Sequence, residues 1–117
     1  MTTAHELLDE AVAAGRQLRD VIPDVYAGYA RFSSAAMSED GELPIKIKEL
    51  IALAIAVTRE CDGCIAAHAR GAAMQGVTAQ EVAEAMGVAI LMNGGPGTVW
   101  GPRAYAAFQE FAADEAL

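Results

Sequence analysis

A chain of 117 residues is the size of one domain, with room for a single core. Its net charge of −8 argues against a phosphate backbone or an anionic membrane surface as partner, since both need clustered Lys and Arg. Hydrophobic residues at 54% with only 6% aromatics favour helices packed through small side chains, and the apolar excess predicts burial between copies in a homo-oligomer.

Residues 4–21 read as a first helix, with Leu7, Leu8, Ala11, Val12, Leu18 and Val21 returning at helical spacing. Pro23 breaks the chain and suits the first turn of a second helix carrying Val25, Tyr26, Tyr29, Phe32 and Ala36, whose aromatics are expected in a core or interface. Residues 38–44, SEDGELP, form a loop. Pro44 opens a third helix, IKIKELIALAIAVTRE, apolar on every side from Leu50 to Val57 and therefore expected to be buried all round. A fourth helix runs from near Cys61 to about Gln75, with Gly76 as its stop. Thr78 and Glu81 form a capping box that starts a fifth helix ending near Asn93. Gly94-Gly95-Pro96-Gly97 reads as a sharp turn, after which a last helix is expected to begin between Thr98 and Pro102 and to end near Asp114. Met74, Met86 and Met92 are expected to fill the core, while Trp100, Tyr105 and Phe108 are expected to pack the last helix, with a lining over the thiols as the alternative. No repeat and no strand-like alternation is present. The expected fold is all-α, a single-domain bundle of about six helices over residues 1–117.

The first twenty residues are amphipathic and charged, unlike a secretory signal, and Leu50–Val57 is too short to span a bilayer. A cytoplasmic, reducing location is expected. In such a compartment a close cysteine pair is more often catalytic or metal-binding than structural.

Four residues carry the chemistry. Cys61, Cys64 and His68 stand at i, i+3 and i+7, one helical face. A Cys-x-x-Cys pair at a helix start can close a disulfide with little backbone movement, and the helix N-terminus favours the thiolate. His68 can exchange a proton with Cys64 near neutral pH. If the third and fourth helices form a hairpin turning near Glu60, Glu49 and His68 differ in axial position by only about 5 Å. Glu49 would then orient the imidazole, giving a relay Glu49, His68, Cys64, Cys61. A zinc site built from both thiols, His68 and Glu49 is the metal alternative, and a purely structural disulfide would restrain the unfolded chain little. Asp62 disfavours a nearby thiolate and Arg59 favours one, while Gly63 leaves room beside the pair for a bulky partner.

Glu49, eleven residues, then CDGCIAAH resembles the carboxymuconolactone decarboxylase superfamily, specifically its alkylhydroperoxidase D-like branch, over about residues 23–111 with the core motif at 49–68. The resemblance implies an all-helical subunit assembled as a trimer or hexamer. It also implies a cofactorless thiol peroxidase or disulfide reductase, recycled by a dithiol donor and acting on a hydroperoxide or disulfide. It makes Cys64 the thiol that becomes a sulfenic acid, Cys61 its disulfide partner, and Glu49 and His68 the proton relay. The chain departs from the branch's peroxidases at Gly63, where they carry histidine, and in lacking a duplicated helical half. The competing readings are a non-redox lyase using Glu49 and His68 with the thiols incidental, and a redox-sensing oligomer.

Overall fold

In the computed structural model, which describes residues 2–116, the chain forms α1 (Ala4–Val21), α2 (Pro23–Ala36), α3 (Ile45–Thr58), α4 (Asp62–Met74), α5 (Ala79–Asn93) and α6 (Gly95–Glu115). No strand occurs among the described residues. Most helix starts follow local chemistry. The Thr3 hydroxyl accepts the Glu6 amide at α1, and Pro23 opens α2. Thr78 and Glu81 satisfy each other's amides at α5, and this bond together with Lys46 holds the Glu81 carboxyl below its ordinary pKa. Gly76, at φ 75°, takes the left-handed conformation that lets the chain turn after α4.

α3 and α5 lie side by side and parallel. Lys46 pairs with Glu81 at 2.9 Å near their starts, and Asn93 Nδ2 donates to Thr58 Oγ1 at 3.0 Å at their ends. α4 packs back along α3, and α6 packs against α5, α4 and α3. The core between them is built from Leu53 and Val57 of α3, the Ala66, Ala69 and Ala72 stripe of α4, Val82 and Met86 of α5, and Phe108 and Phe111 of α6. Alanine-lined faces bring helix axes close. The tightest approach is at Gly97, where an added Cβ would stand 2.8 Å from the Ile90 Cα.

Several expectations are corrected. α6 begins at Gly95, because Gly94 makes the break alone at φ 68° and Pro96 sits in the first turn, where no amide is needed. Thr98 Oγ1 then bonds the Gly95 carbonyl at 2.6 Å, and Pro102 is carried inside the helix. α3 is not buried all round: Leu53, Ala56 and Val57 face inward, while Ile51 and Ile55 are exposed. Of the three methionines only Met86 is core; Met74 and Met92 face outward. Phe108, Trp100 and Tyr105 do pack with the core, whereas of the two places expected for Tyr29 and Phe32 of α2 the subunit's core is not theirs.

The start of α1 is clasped to the end of α6. A Glu110 carboxylate accepts the Ala4 and His5 amides, each at 3.0 Å, and is also bonded by His5 Nδ1. His5 Nε2 lies 2.6 Å from Asp114 Oδ2, and the ring rests on Phe111. With a carboxylate on each nitrogen, the imidazole must carry both protons. Its pKa is accordingly raised, by the bond to Glu110 first and that to Asp114 second. Burial pushes the Glu110 carboxyl up, but the bonds from His5 and Ala4 bring it net below its ordinary value. The His5 contribution is therefore complete below about pH 6.5 and lost as pH rises through the elevated folded value, while that of Glu110 is lost only as pH falls through its lowered one. Thermal melts should accordingly show the highest Tm at mildly acid pH and a decline above neutrality. His5→Gln should flatten that decline; an unchanged pH profile in the variant would contradict the clasp.

Candidate active site

The turn between α3 and α4 places both cysteines. Glu60 adopts φ 52°, the left-handed region that non-glycine residues seldom occupy, and the Cys61 amide donates to the Ala56 carbonyl at 3.1 Å. The chain reverses there, so Cys61 is extended and caps α4 from outside, while Cys64 lies in the first turn. Cys61 is thus a cap rather than a member of the helical face. Its sulfur accepts the Cys64 amide at 3.3 Å, the position a serine or aspartate oxygen usually fills. The Cα atoms are 5.3 Å apart, within disulfide range, and the two sulfurs are bonded. Cys64 is exposed and Cys61 half-buried, so Cys64 is the more accessible residue of the pair.

One turn beyond Cys64, His68 Nδ1 lies 2.9 Å from Glu49 Oε2 across the α3–α4 contact. The Glu49 side chain is only 12% exposed and that of His68 35%. Facing a carboxylate, Nδ1 carries the proton and Nε2 remains the nitrogen able to accept another. The proximity expected from the hairpin arithmetic is present. What sequence reasoning missed is Gly71. A Cβ at that position would stand 2.6 Å from Glu49 Cδ and from both of its carboxylate oxygens, so glycine is the residue that lets a buried carboxylate reach His68. The available signal was a glycine inside a helix, one turn after a histidine, where alanine would be more stable by about 1 kcal/mol.

Asp62 and Gly63 do not share this face. Successive helical residues turn by about 100°, which puts Asp62 and Ala66 on the side of α4 away from Cys64 and His68, with Ile65 between the two sides. All three line a groove of about 660 Å³ with Leu7 of α1 and Arg103 and Ala107 of α6. This groove therefore lies behind the thiols, not over them. The room left by Gly63 faces α1: a Cβ there would lie 3.8 Å from Ala11 Cβ, in ordinary contact. No three of the described His, Cys, Asp and Glu residues converge as a metal site.

Comparison with known proteins fits this arrangement. The model of the carboxymuconolactone decarboxylase family matches residues 23–110. An uncharacterized protein of Cupriavidus necator is 41% identical over 73 residues, 62% of this chain and 65% of that one, so this chain spans just under two thirds of that relative. A second, described as uncharacterized protein 4 in the cox locus of Paracoccus denitrificans, is 31% identical over 110 residues, 94% of this chain and 92% of its own. The crystal structure of an apo carboxymuconolactone decarboxylase family protein from Legionella pneumophila superposes with a TM-score of 0.89 at 33% identity, covering 93% of this chain and 96% of that one. A Burkholderia xenovorans LB400 protein described as a carboxymuconolactone decarboxylase shares the fold, with a TM-score of 0.77 at 24% identity over 97% of each chain. By the extent of the family match and the similarity of its full-length relatives, this chain belongs to the carboxymuconolactone decarboxylase family.

Proposed function

We propose that this chain is a thiol–disulfide oxidoreductase of the alkylhydroperoxidase D-like branch, reducing organic hydroperoxides or disulfides through Cys64 and Cys61. The observation that carries this reading is the partly buried Glu49–His68 hydrogen bond of 2.9 Å, set one helical turn from a bonded Cys61–Cys64 pair. A carboxylate-oriented imidazole beside a dithiol is the arrangement needed to take up and return protons as sulfur changes redox state.

The reduced dithiol starts the cycle. Cys64, the more exposed cysteine, gives its proton to His68 Nε2 and attacks the distal oxygen of a hydroperoxide. The O–O bond breaks, the sulfur becomes a sulfenic acid, and the alcohol leaves with the proton that His68 returns. Cys61 then loses its proton and attacks the Cys64 sulfur; the S–S bond forms and water departs. A dithiol donor reduces that disulfide by exchange and is itself oxidised, so two electrons pass from donor to peroxide in each cycle. Glu49 holds the imidazole through both proton transfers. A reducing compartment would sustain the recycling.

The reduced protein should consume tert-butyl hydroperoxide and end with a mass lower by two hydrogens, as a Cys61–Cys64 disulfide. Cys64→Ser should abolish turnover. Turnover that survives in both single cysteine variants would sink the redox reading, and turnover of a lactone by alkylated protein would move the assignment to the lyase suggested by the family's name. Glu49→Gln should lower turnover by about 10–100-fold, the usual loss for a partner that orients a working histidine, and should alter the pH–rate profile.

Gly71→Ala separates relay from fold. The added methyl meets the Glu49 carboxylate, which can swing away at little cost to packing, while the helix gains propensity. Turnover should fall at least as far as in Glu49→Gln while far-UV circular dichroism keeps the helical content of the parent. Unchanged turnover would mean the Glu49–His68 bond is not used.

A further inference from the structure

Little fastens α1 to the bundle. Ala4 is buried and Leu7 and Leu8 pack against the core, and no later residue of the helix does either. The remaining anchor is the clasp on α6, where the His5 ring and the Ala4 and His5 amides meet the Glu110 and Asp114 carboxylates. Segments with few buried apolar contacts and exposed hydrogen bonds open locally, at less cost than global unfolding.

This first stretch of α1 covers the groove behind the thiols. Thr3, Ala4 and Leu7 form one wall of that space, and Ile65 and Ala66 of α4 form another. Further along, Ala11 stands over Gly63, one of the two residues between the cysteines. A Cβ at Gly63 would lie 3.8 Å from the Ala11 Cβ. Cys61 caps α4 and Cys64 lies in its first turn, so α1 rests on the turn that holds the sulfur pair.

The clasp depends on protons in a way that an ordinary surface pair does not. A neutral imidazole has one N–H, so it donates to one carboxylate and turns a lone pair toward the other. Asp62 of α4 and Arg103 of α6 border the groove, and Glu6 and Asp9 are neighbours on α1. Only Glu110 and Asp114 bear on the charge of the ring, and no charged group of α2 does. Glu110 is held by two amides as well as by the ring, so loss of a proton parts the ring from Asp114 first.

We infer that the first two turns of α1 are a strap, latched by doubly protonated His5 across the groove and the cysteine turn, and that the strap loosens when the imidazole gives up a proton. At mildly acid pH the strap is closed and the first turn of α4 is packed from behind. The ring leaves Asp114 as pH rises through the raised value of His5. α1 then moves off Ile65, Ala66 and Gly63, and the turn bearing Cys61 and Cys64 gains freedom. The strap is independent of the redox reading; its worth as a control on thiol chemistry rests on that reading.

Hydrogen exchange on the reduced full-length protein, corrected for the intrinsic pH dependence of exchange, separates this opening from global loss of stability. Between about pH 6 and about pH 8.5 the amides of residues 4–11 should lose protection several-fold more than those of α5, whose cap does not involve His5. Asp114→Asn, which leaves the amide bonds to Glu110 in place, should move the midpoint to lower pH, and His5→Gln should show low protection at both ends. Protection that is flat with pH in the parent, a midpoint unmoved in Asp114→Asn, or high protection in His5→Gln would overturn the strap. For the thiols, the ratio of Cys64 alkylation rates by iodoacetamide, His5→Gln over parent, cancels the titration of the thiol itself. It should be several-fold at the acid end and close to unity at the alkaline end. A ratio of unity throughout would overturn the link to the cysteines alone. Hydroperoxide turnover enters neither measurement, so failure of the redox reading shows separately in the turnover assay.

Discussion

The hydrogen bond between Glu49 and His68 sets demands on the elements around it. A carboxylate buried without a partner costs several kcal/mol, so α3 can carry Glu49 at the edge of its apolar face only if α4 presents a donor at that height. That requirement fixes the register of the α3–α4 hairpin. It is met by a turn that reverses the chain at Glu60 and by a glycine at position 71 that leaves the carboxylate its space. The same register puts Cys61 at the cap of α4 and Cys64 in its first turn, one turn before the oriented imidazole. Structural constraint and proposed chemistry therefore fall on the same few residues. Alanine at position 71 would add helix propensity, and glycine is held there by the space the Glu49 carboxylate needs.

Around this hairpin the core is largely alanine. Ala66, Ala69 and Ala72 of α4 lie against Ala104, Ala107 and Phe108 of α6 in one buried cluster, and Gly97 and Gly101 bring α6 onto Ile90 of α5. Small side chains permit close approach of helix backbones but remove little apolar surface per residue, about 25 cal/mol for each Å² buried. A chain of this composition and length fills its interior before its larger apolar residues are used up. Tyr29, Phe32, Leu91 and Met92 are what remains outside. The surplus predicted from composition therefore has a definite location: one share on the hairpin of α1 and α2, the other on the outer sides of α3 and α5.

The distribution of charge follows the same division. The clasp of His5 with Glu110 and Asp114 fastens the first turns of α1 to the bundle, and beyond Ala11 the helix departs from it. The departure lies beside the cysteine turn.

Much of the chain was legible by itself because its signals are local. Pro23, Pro44, Gly76 and the Thr78–Glu81 box each act within a turn of their own position, and five of the helices begin within a residue or two of where such signals and the apolar spacing place them. The spacing of Cys61, Cys64 and His68 is likewise covalent, and the helical rise was enough to bring Glu49 to His68. Tertiary structure decided what depends on contact between distant segments. Position 71 had to be glycine because of a side chain on another helix. Asp62 faces a groove made by α1 and α6, away from the thiols, and α6 starts at Gly95 because Gly94 alone absorbs the reversal. Which side of α3 meets water could not be read from a segment apolar on every side, because such a pattern states how much surface must be covered and not what covers it. The cysteine pair and its histidine were written in the sequence; the carboxylate's space, the exposed Cys64 and the clasp of α1 on α6 came only with the packing of one helix against another.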